Sequence, residues 1–330
     1  ITGDPPATAL AIAQELGLAG TVLSGSDIDA LPDAELRRLA EQVAVFARVT
    51  PEHKVRLVQA LRANGHVVAM TGDGVNDAPA LKHADIGVAM GISGTAVTRE
   101  AASMVLTDDN FASIVNAVRE GRTIYDNIVK FVRSQLSTNI GAILSVLGAS
   151  LLGLPAPFSA IQLLWINIIM DGPPAMTLGL DPARPGIMHE PPRSRDSGIL
   201  SWRRFGRLLL YGITMAAGTL GLFAHAQYSG LGHAYAHTLA FTGFVLFQFF
   251  NIFNARVEHG SALGRHCWRN GKLWGALLAV LLLQLLVVQW TPAQKLFGTT
   301  GLRAADWALA VAVASSVLLL DEARKQLRRL

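Results

Sequence analysis

The chain has 330 residues with 28 basic and 24 acidic side chains, a formal net charge of +4 that is unevenly shared. Residues 1–120 carry 15 acidic and 9 basic groups, a net of −6, whereas residues 121–330 carry a net of +10. Those basic groups stand between long apolar runs and not on one face with interleaved aromatics, which excludes a nucleic-acid binder, and a single cysteine, Cys267, excludes an internal disulfide.

In chain order, residues 1–110 alternate strand and helix patterns. The apolar runs at 43–49 (VAVFARV), 66–73, 85–91 and 103–109 predict buried parallel strands. Thr50 followed by Pro51 makes an N-cap and first-turn pair for a helix that Gly65 stops. Such alternation predicts a doubly wound parallel α/β sheet, whose ligands bind beyond the carboxyl ends of the strands. The tripeptide TGD occurs twice, as Thr2-Gly3-Asp4 and as Thr71-Gly72-Asp73 at the end of the 66–73 run. The second continues as GDGVNDAPAL, where Asp73 and Asp77 flank a glycine turn opening a helix. Hard carboxylate oxygens beside a helix N-terminus suit Mg²⁺ shared with a phosphate. Ordinary turn chemistry accounts for a lone TGD, but not for glycine, paired acids and Asn76 together.

From residue 111 a helical pattern continues without proline to residue 153. Apolar stretches at 134–153, 158–180, 208–227, 238–255, 273–291 and 304–320 are each long enough to cross a bilayer, which takes ~20 residues. They predict an all-α membrane domain of six helices. The clusters Arg184 to Arg207, Arg256 to Lys272 and Arg324 to Arg329 place residues 1–130, the 181–207 loop and the C-terminus in the cytoplasm. Asp171 is the sole charged residue between Ser134 and Leu180, and Asn167 precedes it by four positions on the same helix face. Pro173 and Pro174 cannot donate hydrogen bonds, so the carbonyls of Ile169 and Met170 lose their helical partners. Carboxylate, amide oxygen and freed carbonyls together make a hard-cation site on a broken helix; an ion pair with another helix is the alternative. His225, His233 and His237 near the outer face offer transition-metal ligands, but their irregular spacing favours loop solvation, and the tryptophans at span ends read as interfacial anchors.

The segment MTGDGVNDAPALKHADIGVAMG, with the upstream ITGD and Lys54 in ARVTPEHK, resembles the phosphorylation domain of P-type cation-transporting ATPases. These belong to the haloacid-dehalogenase-like superfamily, and the resemblance continues through the membrane part. It implies ATP and Mg²⁺ as cofactors and an aspartyl-phosphate intermediate. Thr2 and Gly3, next to Asp4, would hold phosphoryl oxygens and Lys54 would neutralise their charge. Asp73 would bind Mg²⁺, with Asn76 and Asp77 supporting that site. The family's D-K-T-G-T nucleophile motif does not occur in these 330 residues. The resemblance therefore implies the C-terminal portion of a pump, whose missing N-terminal part carries the nucleophile and four earlier membrane helices. Residues 1–120 would be the C-terminal part of the phosphorylation domain. Residues 121–330 would be membrane helices five to ten, with a stalk from about residue 111.

The run IQLLWINIIMDGPPAMTLGLDPARPGIMHEPPR is similar to helix six and the next loop of P-type Ca²⁺ pumps, and shares the wording WINIIMDGPPA with the secretory-pathway Ca²⁺/Mn²⁺ type. Asn139 matches a helix-five ligand of that group. Where two-site pumps have two glutamates and a threonine, this chain has Ala142, Gln248 and Met170. Three losses at one site imply one divalent cation per cycle. Its ligands would be Asn139, Asn167, Asp171 and a missing helix-four glutamate with carbonyls, with Met176 and Gln248 as accessory positions. Met176 stands where Ca²⁺/Mn²⁺ pumps carry glutamine, which leaves Ca²⁺ against Mn²⁺ open. The expected partners are Ca²⁺ or Mn²⁺, ATP, the lipid bilayer and the missing part of the pump. The Ala-, Leu- and Arg-rich composition points to a bacterial cytoplasmic membrane. A split-pump subunit or truncated product without turnover, a phosphatase fused to a membrane anchor, and a pump for Na⁺, H⁺ or Mg²⁺ are the rival readings.

Overall fold

Short apolar runs alternating with helices build the first of two units, Ile1–Val118 with a short stretch after Pro191; the second holds the rest of the chain. The computed structural model describes residues 1–18, 20–170, 172–194, 198–258, 260–262 and 264–327.

The first unit runs α1 (Pro6–Glu15), β1 (Thr21–Ser24), α2 (Gly25–Ala30), α3 (Asp33–Ala40), β2 (Val43–Ala47), α4 (Pro51–Ala63) and β3 (Ala69–Gly72). A 3₁₀ turn (Val75–Asp77), α5 (Ala78–His83), β4 (Ile86–Met90), α6 (Ala96–Ala101) and β5 (Met104–Leu106) follow. Among the described residues all strand pairs are parallel, but hydrogen bonds join them in two groups and not in one continuous doubly wound sheet. In one, Thr21 lies opposite Val43 and Ser24 opposite Ala47; in the other, β3, β4 and β5 pair in sequence order. The strand β1 went unpredicted because four residues with polar ends carry almost no periodic signal.

Helix α4 starts as its sequence dictates. The Thr50 hydroxyl accepts from the His53 N–H at 3.4 Å, and the Thr50 N–H donates to His53 Nδ1 at 3.1 Å, a reciprocal cap. With Nδ1 accepting, His53 Nε2 carries the hydrogen and gives it to Asp29 at 2.8 Å. Gly65, at φ 90°, ends the helix. The buried face of α4 presents Leu57 to Ile28, Leu36 and Phe46.

The second unit takes up α7 (Phe111–Leu151) from Arg119 onward. Then come α8 (Ala160–Trp165), a π turn (Ile166–Met170), α9 (Pro173–Leu178), α10 (Trp202–Tyr228) and α11 (His233–Arg256). A 3₁₀ turn (Arg265–Arg269), α12 (Gly271–Gln289), α13 (Thr291–Phe297) and α14 (Ala304–Leu327) complete it. Helix α7 is uninterrupted through Gly121 and stops at Gly153, whose φ of 67° and the Leu154 N–H to Ala149 carbonyl bond form a left-handed cap.

Among the described residues, four helices are long and apolar enough to cross a membrane: α10, α11, α12 and α14. Six were expected, and two fall short for local reasons. The 134–153 stretch carries Ser134, Gln135, Ser137, Thr138 and Asn139 within α7, and the 158–180 stretch is divided among α8, the π turn and α9. Small residues let the helices approach closely. A Cβ on Gly212 of α10 would lie 2.4 Å from Ile140 of α7, and one on Gly243 of α11 would lie 2.3 Å from Leu222 of α10.

Buried ion pairs tie this bundle together. Asp181 accepts from Lys130 of α7 at 2.8 Å, from Arg256 at the end of α11 at 2.8 Å, and from Asn270 at 3.1 Å. Asn127 of α7 donates to the Asp181 backbone carbonyl at 2.8 Å. Burial pushes the Asp181 carboxyl up, but the Arg256 and Lys130 donors outweigh it and hold it below the usual carboxylate range. A second carboxylate, Glu258, pairs with Arg204 at 3.0 Å and with Arg207, and lies 3.8 Å from Arg133. Burial opposes its ionisation, yet hydrogen bonds from Arg204 and Arg207 and the Arg133 charge bring it down to about 2. A depressed carboxyl stabilises the fold above its ordinary value and stops doing so as pH falls toward the folded value. The gap in unfolding stability between the native protein and Glu258→Gln should therefore close as pH drops from about 4.5 to about 2. Thermal unfolding in detergent across that window checks it; a gap independent of pH would refute the assignment.

Candidate functional site

In the first unit, the chemistry-bearing residues gather at the carboxyl ends of β2 and β3. The Thr2 N–H donates to the Phe46 carbonyl at 2.8 Å and the Arg48 N–H to the Asp4 carbonyl at 3.0 Å, which lays Thr2-Gly3-Asp4 beside the end of β2. Within that turn the Thr2 hydroxyl donates to Asp4 at 2.8 Å and accepts from the Asp4 N–H at 3.1 Å. Lys54, in the first turn of α4, reaches across to Asp77 Oδ1. Asp77 is buried, and its other oxygen accepts from the backbone N–H groups of Asp73 at 3.3 Å and Gly74 at 3.2 Å. Gly72 permits this fold-over, since a Cβ there would meet the Asp77 Cβ at 2.3 Å.

The two acids thus differ in role. Asp77 is committed to Lys54 and to the turn, while Asp73 is exposed, with no partner for its carboxylate among the described residues. Asn76 is likewise exposed and unbonded there. An open, hard carboxylate beside a lysine-held acid fits Mg²⁺ with a phosphate, and Asp73 is the residue free to ligate it directly. The expected helix opening at this turn is smaller than predicted: a 3₁₀ turn and then the six-residue α5.

Sequence reasoning missed what holds Asp73. Its carbonyl accepts from the Thr95 N–H at 3.0 Å and the Thr98 hydroxyl at 3.1 Å. The 91–95 loop is in turn fixed by Asp109, which accepts from Gly91, from Ile92 at 3.0 Å and from the Ser93 N–H and hydroxyl at 2.8 Å each. The N–H donors of Ile92 and Ser93 bring the Asp109 carboxyl down to about 2. β5 ends at Leu106, short of the predicted 103–109 strand, and Asp109 follows in the left-handed region at φ 49°. The available signal was the double aspartate following an apolar run, opposite a Gly-x-Ser-Gly turn.

In the second unit the predicted break in the 158–180 stretch is present. Helix α8 widens into the π turn, a form concentrated at functional sites, and α9 restarts at Pro173 after Gly172, whose ψ of −93° is not helical. A Cβ on Gly172 would lie 2.4 Å from the Ile168 carbonyl oxygen, so the backbone closes on itself there. Asp171 lies outside the described residues. Asn167 in the π turn and Asn139 on α7 are both exposed, and neither makes a side-chain hydrogen bond among the described residues. Met176 is 71% exposed. Gln248 is buried in α11, and neither of its amide atoms has a partner among the described residues.

Two neighbours of Gln248 were not foreseen. Asn251 and Asn254 follow at intervals of three, both buried, and each has an amide oxygen without a partner. The Asn251 amide donates to Ser137 of α7 at 2.7 Å. Buried acceptors left unmatched are uncommon in folded proteins, and here they line one stripe of an otherwise apolar helix. The spacing in QFFNIFN was the legible sign of it.

Comparison with known proteins follows this geometry. A family model described as "Cation transporting ATPase, C-terminus" matches residues 155–327. Two models of haloacid dehalogenase-like hydrolases match residues 1–85 and 54–118. The chain is 45% identical to the calcium-transporting ATPase of Bacillus subtilis over 322 residues, covering 96% of this chain and 36% of that protein. It is 43% identical to calcium-transporting ATPase 1 of Schizosaccharomyces pombe, covering 100% and 38%. It is also 43% identical to the human calcium-transporting ATPase type 2C member 1, covering 100% and 36%. The chain thus spans little more than a third of the length of these relatives.

Proposed function

Because the chain belongs to the cation-transporting ATPase family, we propose that it is the C-terminal portion of a P-type pump that exports Ca²⁺ at the expense of ATP, through an aspartyl phosphate, one ion per cycle. Relatives named as calcium-transporting ATPases along its whole length support the Ca²⁺ reading, and Mn²⁺ is the second ion to test. Residues 1–120 then complete the phosphorylation domain. Residues 121–330 supply six membrane passages, two of them polar or broken, in a bacterial cytoplasmic membrane with the first unit and the C-terminus inside. The nucleophilic aspartate comes from the part of the pump that precedes this chain.

The observation that carries the proposal is the breach between the π turn and Pro173, because a hydrolase alone has no use for an opened helix in an apolar segment. Pro173 and Pro174 have no N–H to give the carbonyls of Ile169 and Met170, and carbonyls without helical donors suit a cation shedding its water. In the first unit, Lys54 balances the charge of the transferring phosphoryl group, and Asp77 holds both Lys54 and the 73–74 backbone in place. Thr2 and the Gly3 backbone offer donors to phosphoryl oxygens, and the Thr95–Thr98 clasp aims Asp73. Mg²⁺, when bound, would neutralise charge on that group.

The test is phosphorylation of the complete pump by ATP. Asp171→Asn should abolish Ca²⁺-dependent phosphoenzyme formation while leaving phosphorylation by inorganic phosphate in the absence of Ca²⁺ intact, which separates a lost ion site from a damaged catalytic unit. Ca²⁺-dependent phosphoenzyme at the native level in this variant would overturn the site. Running Mn²⁺, Na⁺ and Mg²⁺ beside Ca²⁺ identifies the ion.

A further inference from the structure

We propose that His233 and His237 form a two-imidazole site for a late divalent transition metal, Cu²⁺ or Ni²⁺, at the first turn of α11. The sequence places them four residues apart, hence on one helix face, and the structure puts them in α11 and not in a solvated loop. Their Nε2 atoms face each other at 2.9 Å, with the rings nearly perpendicular at 86°. The 2.9 Å separation is that of a hydrogen bond, and it is short enough for both nitrogens to reach one ion at a metal–nitrogen distance of about 2.05 Å once the rings turn toward it. On nitrogen ligands affinity rises through Ni²⁺ to Cu²⁺ and falls again at Zn²⁺. Tetragonal sites with nitrogen and oxygen ligands favour Cu²⁺ and Ni²⁺.

The surroundings hold the pair in this pose. Phe223 of α10 packs edge-on to both rings, with centroid distances of 6.1 Å to His233 and 5.4 Å to His237. One Nε2 of the pair donates to the other, so one ring presents a lone pair at rest and the other must move its proton from Nε2 to Nδ1 when a metal enters, with no net proton released. Among the described residues no third His, Cys, Asp or Glu joins the pair. His233 is exposed, so water fills the remaining positions.

The experiment titrates the intact protein in detergent with Cu²⁺ alone, read by electron paramagnetic resonance. One equivalent should bind with the splitting of two equatorial imidazole nitrogens. His233→Ala and His237→Ala should each weaken binding by about tenfold or more, while His225→Ala, on α10, should not. Thermal unfolding of the conservative variants His233→Gln and His237→Gln without metal checks that the fold is intact. Native copper binding in the double alanine variant would overturn the proposal, as would no binding by the native protein or a preference for Zn²⁺ over Cu²⁺. If the histidines serve only as a mutual hydrogen bond, the variants lose melting temperature and Cu²⁺ does not raise that of the native protein.

Discussion

Asp73→Asn in the complete pump should lower phosphoryl transfer from ATP by roughly 10³-fold, with Ca²⁺ binding left near the native level. The reasoning starts from what each acid has already spent. Asp77 gives one oxygen to Lys54 and the other to two backbone N–H groups, so its carboxylate is part of the scaffold. Asp73 is held only by its backbone, through its N–H to Asp77 and its carbonyl to Thr95 and Thr98, and its side chain is exposed. An amide keeps the shape of that side chain and removes the charge that a divalent ion shared with phosphate requires. Phosphoenzyme formation and Ca²⁺ binding measured side by side settle it. A variant that phosphorylates normally would move the metal role to Asp77.

Asp181→Ala should cost about 3–5 kcal/mol of stability, the usual penalty for breaking a buried pair and stranding its partner. Here two buried cations lose the carboxylate they share: the side chains of Lys130 and Arg256 are only 10% and 3% exposed. Lys130 would keep its bond to the Asn127 side chain at 2.9 Å and Arg256 its bond to the Cys267 carbonyl at 2.9 Å. Asp181→Asn keeps the shape and one of the two acceptor oxygens and should lose less. Unfolding temperatures of both variants in detergent give the comparison, and an alanine variant as stable as the native protein would show that water reaches the cluster.

What was readable in the sequence was local. The Thr50–Pro51 start of α4 and the breach before Pro173 both follow from hydrogen bonds that a side chain or a missing N–H decides within four residues. What depends on partners far along the chain was not readable. The split of five strands into two groups is a matter of long-range pairing, and β1 is too short to announce itself. Lys130 went unremarked within a helical run, and Arg256 was read as a loop charge because counting charges reports sidedness and not burial. Gln248 was singled out by resemblance, yet Asn251 and Asn254 became notable only once their unmatched oxygens were seen in the packed helix.

The Asp181 cluster has a mechanical consequence. Asn127 and Lys130 grip the stretch just past α9, and α9 begins at the breach itself. A turn of this part of α7 about its axis therefore pulls on a tether only a few residues long, whose far end is the opened backbone. Rotation of one rod becomes a tug on the gap in another, with Arg256 as the anchor against which it pulls.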